Sequence, residues 1–399
     1  MTTGERVRTA TAGSRLALCL LYVIPGVWMA TWVTRTPALR DLLHASTAEM
    51  GLVIGCFAVG SGCGILVSGR AVMRFGARRV ISVGAAGTVL SMPTIALAAA
   101  TGQAWGMGLG LFFLGAGLGV SEVAMNVEGA LFERAYGRPF LPLLHGSFSL
   151  GTFAGALLGI AATALGIPVV WHMLVVVIVG APVLPWALSR LPPATGKQPR
   201  PTARAPRGRS PFADRRLLLI AGIVIAVALA EGVATDWLPL LLVDGHGVDP
   251  ASASFVYATF ALSMTIGRFA GGSVITRLGR APVFAVSILC AIAGMAIVIF
   301  ASNVVLVGCG VVMWGIGASL GFPLTISAAG DTSDNPAAAV AVVSTIGYLG
   351  FLTSPPLLGF LGDSWGLRAA MLIPLALLIV ALALSPVLRA RERPVAESE

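Results

Sequence analysis

The sequence predicts an all-α integral membrane protein of 12 transmembrane helices, arranged as two six-helix halves with both termini in the cytoplasm. Three observations predict it. The first is composition: 57% of the 399 residues are hydrophobic and only 11% are charged, too little polar surface to keep a soluble fold of this size wet. The second is a succession of apolar stretches about 20 residues long, the length a helix needs to cross about 30 Å of hydrocarbon. The third is the placement of basic residues, which alternates from one connection to the next.

The stretches run, in order, over 16–34, 48–69, 80–100, 104–128, 141–166, 168–189, 217–242, 252–275, 281–301, 304–328, 337–362 and 368–388. The first follows Arg6, Arg8 and Arg15 as a signal peptide would, but it continues past a signal-peptide core and is expected to remain as an uncleaved span. With the N-terminus inside, all but four of the 26 basic residues fall in cytoplasmic segments. The exceptions are Arg35, Arg40 and Arg368 outside and Arg268 within the eighth stretch. This asymmetry obeys the positive-inside rule and sets the orientation. Topology thereby accounts for the net charge of +9, and the expected partner is the lipid bilayer and not nucleic acid. The cysteines, Cys19, Cys56, Cys63, Cys290 and Cys309, all fall inside stretches with no CxxC spacing or histidine cluster, which reads as packing and not as metal or disulfide chemistry.

The segment 190–216 is rich in Pro, Arg, Ala and Gly and reads as a flexible cytoplasmic linker between a first bundle, 1–189, and a second, 217–399. Its eight basic residues either touch anionic headgroups or form a solvated tether that helps to set topology. A repeat joins the two bundles. Gly69, Arg74, Gly76 and Arg78 follow the second stretch, and Gly272, Arg277 and Gly279 follow the eighth at an offset of 203 residues. Glycines at such a turn let two helix ends approach closely, and arginines near helix C-termini stay in the headgroup zone. Matched turns in two six-span halves describe a parallel repeat, the architecture that binds small solutes near the bilayer midplane.

With these turns the chain resembles the major facilitator superfamily over essentially its whole length. The family loop pattern, Gly-x-x-x-Asp-Arg-x-Gly-Arg-Arg, is kept at Gly69, Arg74, Gly76 and Arg78 and broken at Met73, with Thr276 in the second copy. The charge relay that the aspartate supplies in family members, stabilising the outward-open state, has no carboxylate at Met73 to carry it. Three further stretches, Trp32-Val-Thr-Arg-Thr-Pro-Ala, Glu122-Val-Ala-Met-Asn126 and Glu231-Gly-Val-Ala-Thr-Asp-Trp, resemble a bacterial branch related to fucose-proton symporters. In fucose permease a glutamate of the second motif takes part in proton coupling, which the resemblance carries onto Glu122. Markers of drug-proton antiporters are incomplete: Leu111 stands where their buried arginine would align, and Ala156 replaces a proline among Gly151, Gly155 and Gly159.

The resemblance implies a monomeric secondary transporter in a bacterial plasma (inner) membrane, moving a small solute, sugar-like or amphipathic, by alternating access with proton coupling. A proton-antiport exporter and a non-transporting solute sensor on the same fold are the alternatives. A sensor would be expected to carry an output domain, for which the 27-residue linker and a short tail are small. An enzyme is not expected: HExxH, GxxxxGK[ST] and a Ser-His-Asp set at one depth are all missing, and no catalytic residue, metal or cofactor is expected.

Ionisable side chains in hydrocarbon are costly unless paired, neutralised or facing water, so the few inside the stretches are the functional candidates. Glu122 shares a helix face with Gly115, Gly119 and Asn126, and on that small polar face it is expected to load and release a proton while Asn126 meets solute. The alternative is a structural glutamate satisfied by His145 or by interfacial water. Glu231 lies about 21 Å along its helix from Leu217, beside Gly232, and reads as a solute ligand or second protonatable site, or as a polar helix contact. Arg35 and Asp236, near the outer ends of the first and seventh stretches, are placed either to pair as an outer gate or to snorkel to water. Trp28 and Trp32 share a face with Arg35, either as aromatic surfaces for solute or as interface anchors. Arg268 is expected to snorkel to the cytoplasm in preference to a solute role. His145, close to Pro139 and Pro142, relays protons or shapes the start of its helix. Pro355 and Pro356, with Gly347, Gly350, Gly359 and Gly362, mark a kinked, closely packed helix.

Overall fold

Backbone N–H and C=O groups find no water in hydrocarbon, so apolar stretches of this length satisfy them internally as helices. The computed structural model describes residues 12–136, 140–193, 195–197, 214–331 and 336–389, and among them there is no strand. Both chain ends, Pro139 and most of the linker, with many of the basic residues that orient the chain, lie outside the described residues.

The first five stretches become α1 (Ala12–Thr34), a short α2 (Thr36–Leu43), α3 (Thr47–Phe75), α4 (Ala77–Thr101), α5 (Ala104–Tyr136) and α6 (Leu141–Ala164). The sixth is interrupted at Pro182, which has no N–H to continue the ladder, giving α7 (Val169–Gly180) and α8 (Val183–Ser189). Beyond the linker come α9 (Arg215–His246), α10 (Pro250–Leu278) and α11 (Arg280–Phe300). The tenth stretch divides into α12 (Val304–Ala318) and α13 (Gly321–Gly330), where Ser319 Oγ bonds back to Ile316 O at 2.6 Å. α14 (Pro336–Trp365) runs unbroken through Pro355 and Pro356. The last stretch is α15 (Leu367–Ala370) and α16 (Leu372–Leu384), closed by a 3-10 turn over Ser385–Leu388.

Among the described residues, 11 helical stretches are long and apolar enough to cross a membrane. The expected eighth, α10, has the length, 29 residues, but is not one of them; Arg268, Arg277 and its serines and threonines dilute its apolar content.

The repeated turns share a backbone conformation. Gly76 between α3 and α4 has φ +86°, and its counterpart Gly279 between α10 and α11 has φ +81°, a region that side-chain-bearing residues rarely occupy. A methyl group at Gly69 or Gly279 would meet nothing within 4 Å, so glycine is needed at 279 for the sign of φ and not for close approach. Arg74 and Arg277 lie in the last turns of α3 and α10, where the helix dipole favours a cation. Gly272 lies within α10, about two helical turns before Gly279. α3 opens on a capping box: Ser46 Oγ accepts from Glu49 N at 3.2 Å while Glu49 Oε2 accepts from Ser46 N at 2.8 Å.

The helices pack as two compact units: the first holds the described residues of Met1–Arg204, Thr235–Ala261 and Pro355–Leu367, the second those of Ala205–Ala234, Leu262–Ser354 and Arg368–Glu399. In the first unit α3 and α5 cross with backbones in contact, so that a methyl at Gly115 would stand 2.0 Å from Phe57 O and one at Gly60 2.1 Å from Phe112 O. α1 and α6 do the same through Gly151 and Gly155, which gives these glycines a packing role. Segments from late in the chain belong to this unit too: Gly51 of α3 meets the backbone of Pro355 and Gly359 in α14, and Ser254 Oγ of α10 donates to Thr34 O at 3.1 Å. In the second unit Gly294, Gly310 and Gly317 hold α11 against α12, and Arg368 donates to Ile299 O at 2.6 Å.

Gly115→Val is expected to destabilise the protein by about 3 kcal/mol or more, because backbone cannot yield as a side chain can. Gly62→Ala, into open space, is expected to leave the melting temperature in detergent unchanged; equal melting of the two variants would contradict the close crossing of α3 and α5.

Candidate functional site

Each unit carries its own cluster of polar side chains on membrane helices. In the first, the half-buried Glu122 and Asn126 project from α5, one turn apart. Tyr22 of α1 reaches across and donates its hydroxyl to Asn126 Oδ1 at 2.9 Å. The phenol lies within electrostatic reach of the Glu122 carboxylate, and the His145 ring packs edge-on against it with centroids 5.6 Å apart. Among the described residues no ion pair includes Glu122; the four that form are Arg40 with Asp41, Arg40 with Asp244, Arg268 with Glu231 and Arg280 with Asp331. The arrangement offers a carboxyl, an amide, a phenol and an imidazole in one neighbourhood, groups that bind hydroxylated solutes and exchange protons.

Tyr22 had no place among the expected site residues. Its signal was present nonetheless: a tyrosine inside an otherwise apolar stretch has a hydroxyl that must find a partner. Trp28 and Trp32 are fully buried and serve neither as interface anchors nor as open surfaces in this conformation. Trp28 Nε1 donates to Val176 O at 3.3 Å, and Trp32 packs on Phe57 with ring centroids 5.9 Å apart.

Arg35 does not pair with Asp236 here. Its guanidinium ties the end of α1 to the end of α6, donating to Thr163 Oγ1 at 2.9 Å and Ile167 O at 2.8 Å. Snorkelling to outer water is equally not what it does, since the residue is 6% exposed, and burial lowers its pKa from the ordinary arginine value. Asp236 is buried within electrostatic reach of Tyr257. The charges that meet at this end are those of Arg40 and Asp244, whose side chains form an ion pair supported by Asp41. Burial lowers the Arg40 pKa, but hydrogen bonds and charge from Asp41 and Asp244 outweigh that and leave it raised.

Two further buried polar groups escaped the sequence reading. Glu128 of α5 is 5% exposed and is bonded by the Thr195 side chain, while the Thr195 carbonyl accepts from Ala77 N at 2.8 Å, so the start of the linker is docked beside the Gly76 turn. Arg78 takes part, donating to Leu191 O at 3.4 Å. His172 of α7 is buried within electrostatic reach of Arg35, with neither ring nitrogen hydrogen-bonded among the described residues.

In the second unit Arg268 of α10 turns onto Glu231 of α9, with Nη2 2.8 Å from Oε1. The expected snorkelling to the cytoplasm is overturned: the Arg268 backbone lies about 15 Å along α10 from Leu278, and its side chain pairs with the Glu231 carboxylate instead. Phe351 lies against Gly232, the neighbour of Glu231, and the Phe322 ring packs 6.0 Å from Phe351 and 6.4 Å from Tyr348.

Reversing charge at one member of the partly exposed Arg40–Asp244 pair, as in Arg40→Asp, is expected to cost about 1 kcal/mol of stability, and the double variant Arg40→Asp/Asp244→Arg to recover most of it. A double-mutant cycle in thermal unfolding reads the coupling, and strictly additive losses would deny it.

A model of the Major Facilitator Superfamily matches residues 16–349 and 238–399. An uncharacterized MFS-type transporter of Yersinia pestis is 31% identical over 365 residues, covering 91% of this chain and 92% of that protein. Among solved structures the nucleoside transporter NupG has a TM-score of 0.72 at 15% identity, covering 95% of this chain and 100% of its own. The E. coli fucose:proton symporter FucP has a TM-score of 0.63 at 18% identity, covering 94% of this chain and 98% of its own. These two likenesses are of fold. Together with the family match and the transporter relative aligned over nearly the full length, they establish that the chain belongs to the Major Facilitator Superfamily.

Proposed function

We propose that the chain is a secondary active transporter that moves a small polar solute across the bacterial plasma membrane by alternating access, coupled to protons through Glu122. Family membership supports transport. The observation that carries the coupling is the Glu122 carboxyl, set in a membrane helix with no ion-pair partner among the described residues and with Tyr22, Asn126 and His145 around it. Such a group changes protonation state when the water it sees changes sides. Asn126 serves as a solute ligand and Glu231 as a second protonatable site.

Twelve helices complete this reading, α10 being the eighth, in halves 1–189 and 217–399 joined by the linker 190–216, with both termini cytoplasmic and the chain working as a monomer. The shared positive φ of Gly76 and Gly279 at equivalent turns supports α10 as a span. Arg40 with Asp244, Ser254 with Thr34, and Gly51 against Gly359 support a conformation closed at the outer end. Arg40 and Asp244 then take the gating role, and Arg35 and Asp236 stabilise the helix ends behind them.

The test is proton flux into liposomes holding the purified protein, on addition of pooled sugars, nucleosides, sugar acids and amphipathic carboxylates. Glu122→Gln is expected to reduce solute-driven proton flux at least tenfold while solute exchange without a proton gradient persists. Full proton-driven accumulation by that variant would remove Glu122 from the mechanism.

A further inference from the structure

The helix register around Glu231 places more than an ion pair in the second unit. Gly347 of α14 lies against Val224 of α9, Gly350 against Ala228, and Ser354 beside Gly232, so the two helices run parallel and Glu231 stands level with Phe351 and Ser354. Ser354 is fully buried with its Oγ unpartnered among the described residues. Phe322, Tyr348 and Phe351 are each only half-buried, and Phe351, set against Gly232, brings this aromatic cluster next to Glu231.

The pair itself is lopsided. The Arg268 side chain is 39% exposed and that of Glu231 12%, so the guanidinium is the outward member. Among the described residues its one hydrogen bond is to Glu231 Oε1, which leaves most of its planar fork of N–H donors uncommitted. A purely structural pair within hydrocarbon would hide and saturate both members; this one presents a cation with donors to spare. Such a fork matches the geometry of a carboxylate, which it binds through two parallel hydrogen bonds.

We propose that Arg268 is an anion-recognition site, and that the solute carries a carboxylate joined to a ring or apolar body that lies on Phe322, Tyr348 and Phe351. This rests on the transport reading for its physiological meaning but not for its chemistry. The entering carboxylate takes the place of Glu231 on the guanidinium, and the released Glu231 carboxylate takes up one proton from water. One negative charge and one proton enter together, so the site keeps the net charge of the original pair. Arg268 is the charged group paired with Glu231, and the hydroxyl-bearing Ser354 of the adjoining α14 lies against the neighbouring Gly232.

The full-length protein in detergent is titrated with D-glucuronate, phenylacetate and indole-3-acetate, and with the uncharged D-glucose and 2-phenylethanol, reading thermal stabilisation. At least one carboxylate is expected to bind the wild type at least tenfold more tightly than its uncharged counterpart. Glu231→Gln, which frees the guanidinium, is expected to bind that carboxylate more tightly still. Arg268→Gln/Glu231→Gln, which removes both charges and strands neither, is expected to fold and to bind it at least tenfold more weakly than the wild type. Equal binding of charged and uncharged probes, undiminished carboxylate binding by the double variant, or no carboxylate binding by wild type and Glu231→Gln would overturn the proposal. Proton flux with a neutral solute in a protein that binds no carboxylate would end this inference alone, and carboxylate binding without flux would end the transport reading and leave the Arg268 site.

Discussion

Lipid tails accept an apolar side chain as readily as a neighbouring helix does, so these helices hold together where their backbones come into contact and dispersion is strongest. The crossing of α3 and α5 is the clearest case, with Gly60 and Gly115 each facing a carbonyl of the other helix too closely to admit a methyl. The consequence reaches the candidate proton site. Gly115 and Gly119 share a face of α5 with Glu122 and Asn126, and the glycines press that face onto Phe57 and Ser61 of α3. The face is a packing surface over its first turns and becomes polar only where Glu122 begins, so the rotation that seats the glycines also aims the carboxyl.

The same medium governs the charges. A carboxylate or guanidinium removed from water must find compensation, and the chain uses three kinds. Arg35 is met by a hydroxyl and a carbonyl at the end of α6. Glu231 and Arg268 meet each other. Glu122 sits among neutral polar groups, including Tyr22 and Asn126, an environment suited to a group that alternates between charged and neutral. Of the three, the last two are the least saturated among the described residues: Glu122 has no ion pair there, and Arg268 a single hydrogen bond.

The docking of Leu191 and Thr195 gives the glycine turn between α3 and α4 a second use. Positive φ at Gly76 points α4 back alongside α3, and the first N–H of α4, at Ala77, is then satisfied by Thr195 O. An unpaired helix-start donor and the start of the linker thereby stabilise each other, with Arg78 and Glu128 adding side-chain bonds to the same segment.

Legibility in the sequence follows physical range. The period and length of apolar stretches located the helices, and the third stretch, 80–100, became Ala77–Thr101 with its ends scarcely moved. A local steric demand made the turns readable, since the glycines at 76 and 279 meet it in the same way. The breaks at Pro182 and Ser319 passed unnoticed because hydropathy does not register a lost donor or a hydroxyl turned back on its own helix. Candidate residues were recognisable as charges where charge is costly, yet their partners were not. Arg268 is 37 residues from Glu231 and Tyr22 is 104 from Asn126, and no local cue joins either pair, because pairing between helices depends on rotation and register. The sequence by itself determined that the chain crosses a membrane as a repeated helical bundle, because burial in lipid and chain reversal are local requirements. Only the tertiary structure decided which ionisable groups neutralise one another, because that depends on which helix faces meet.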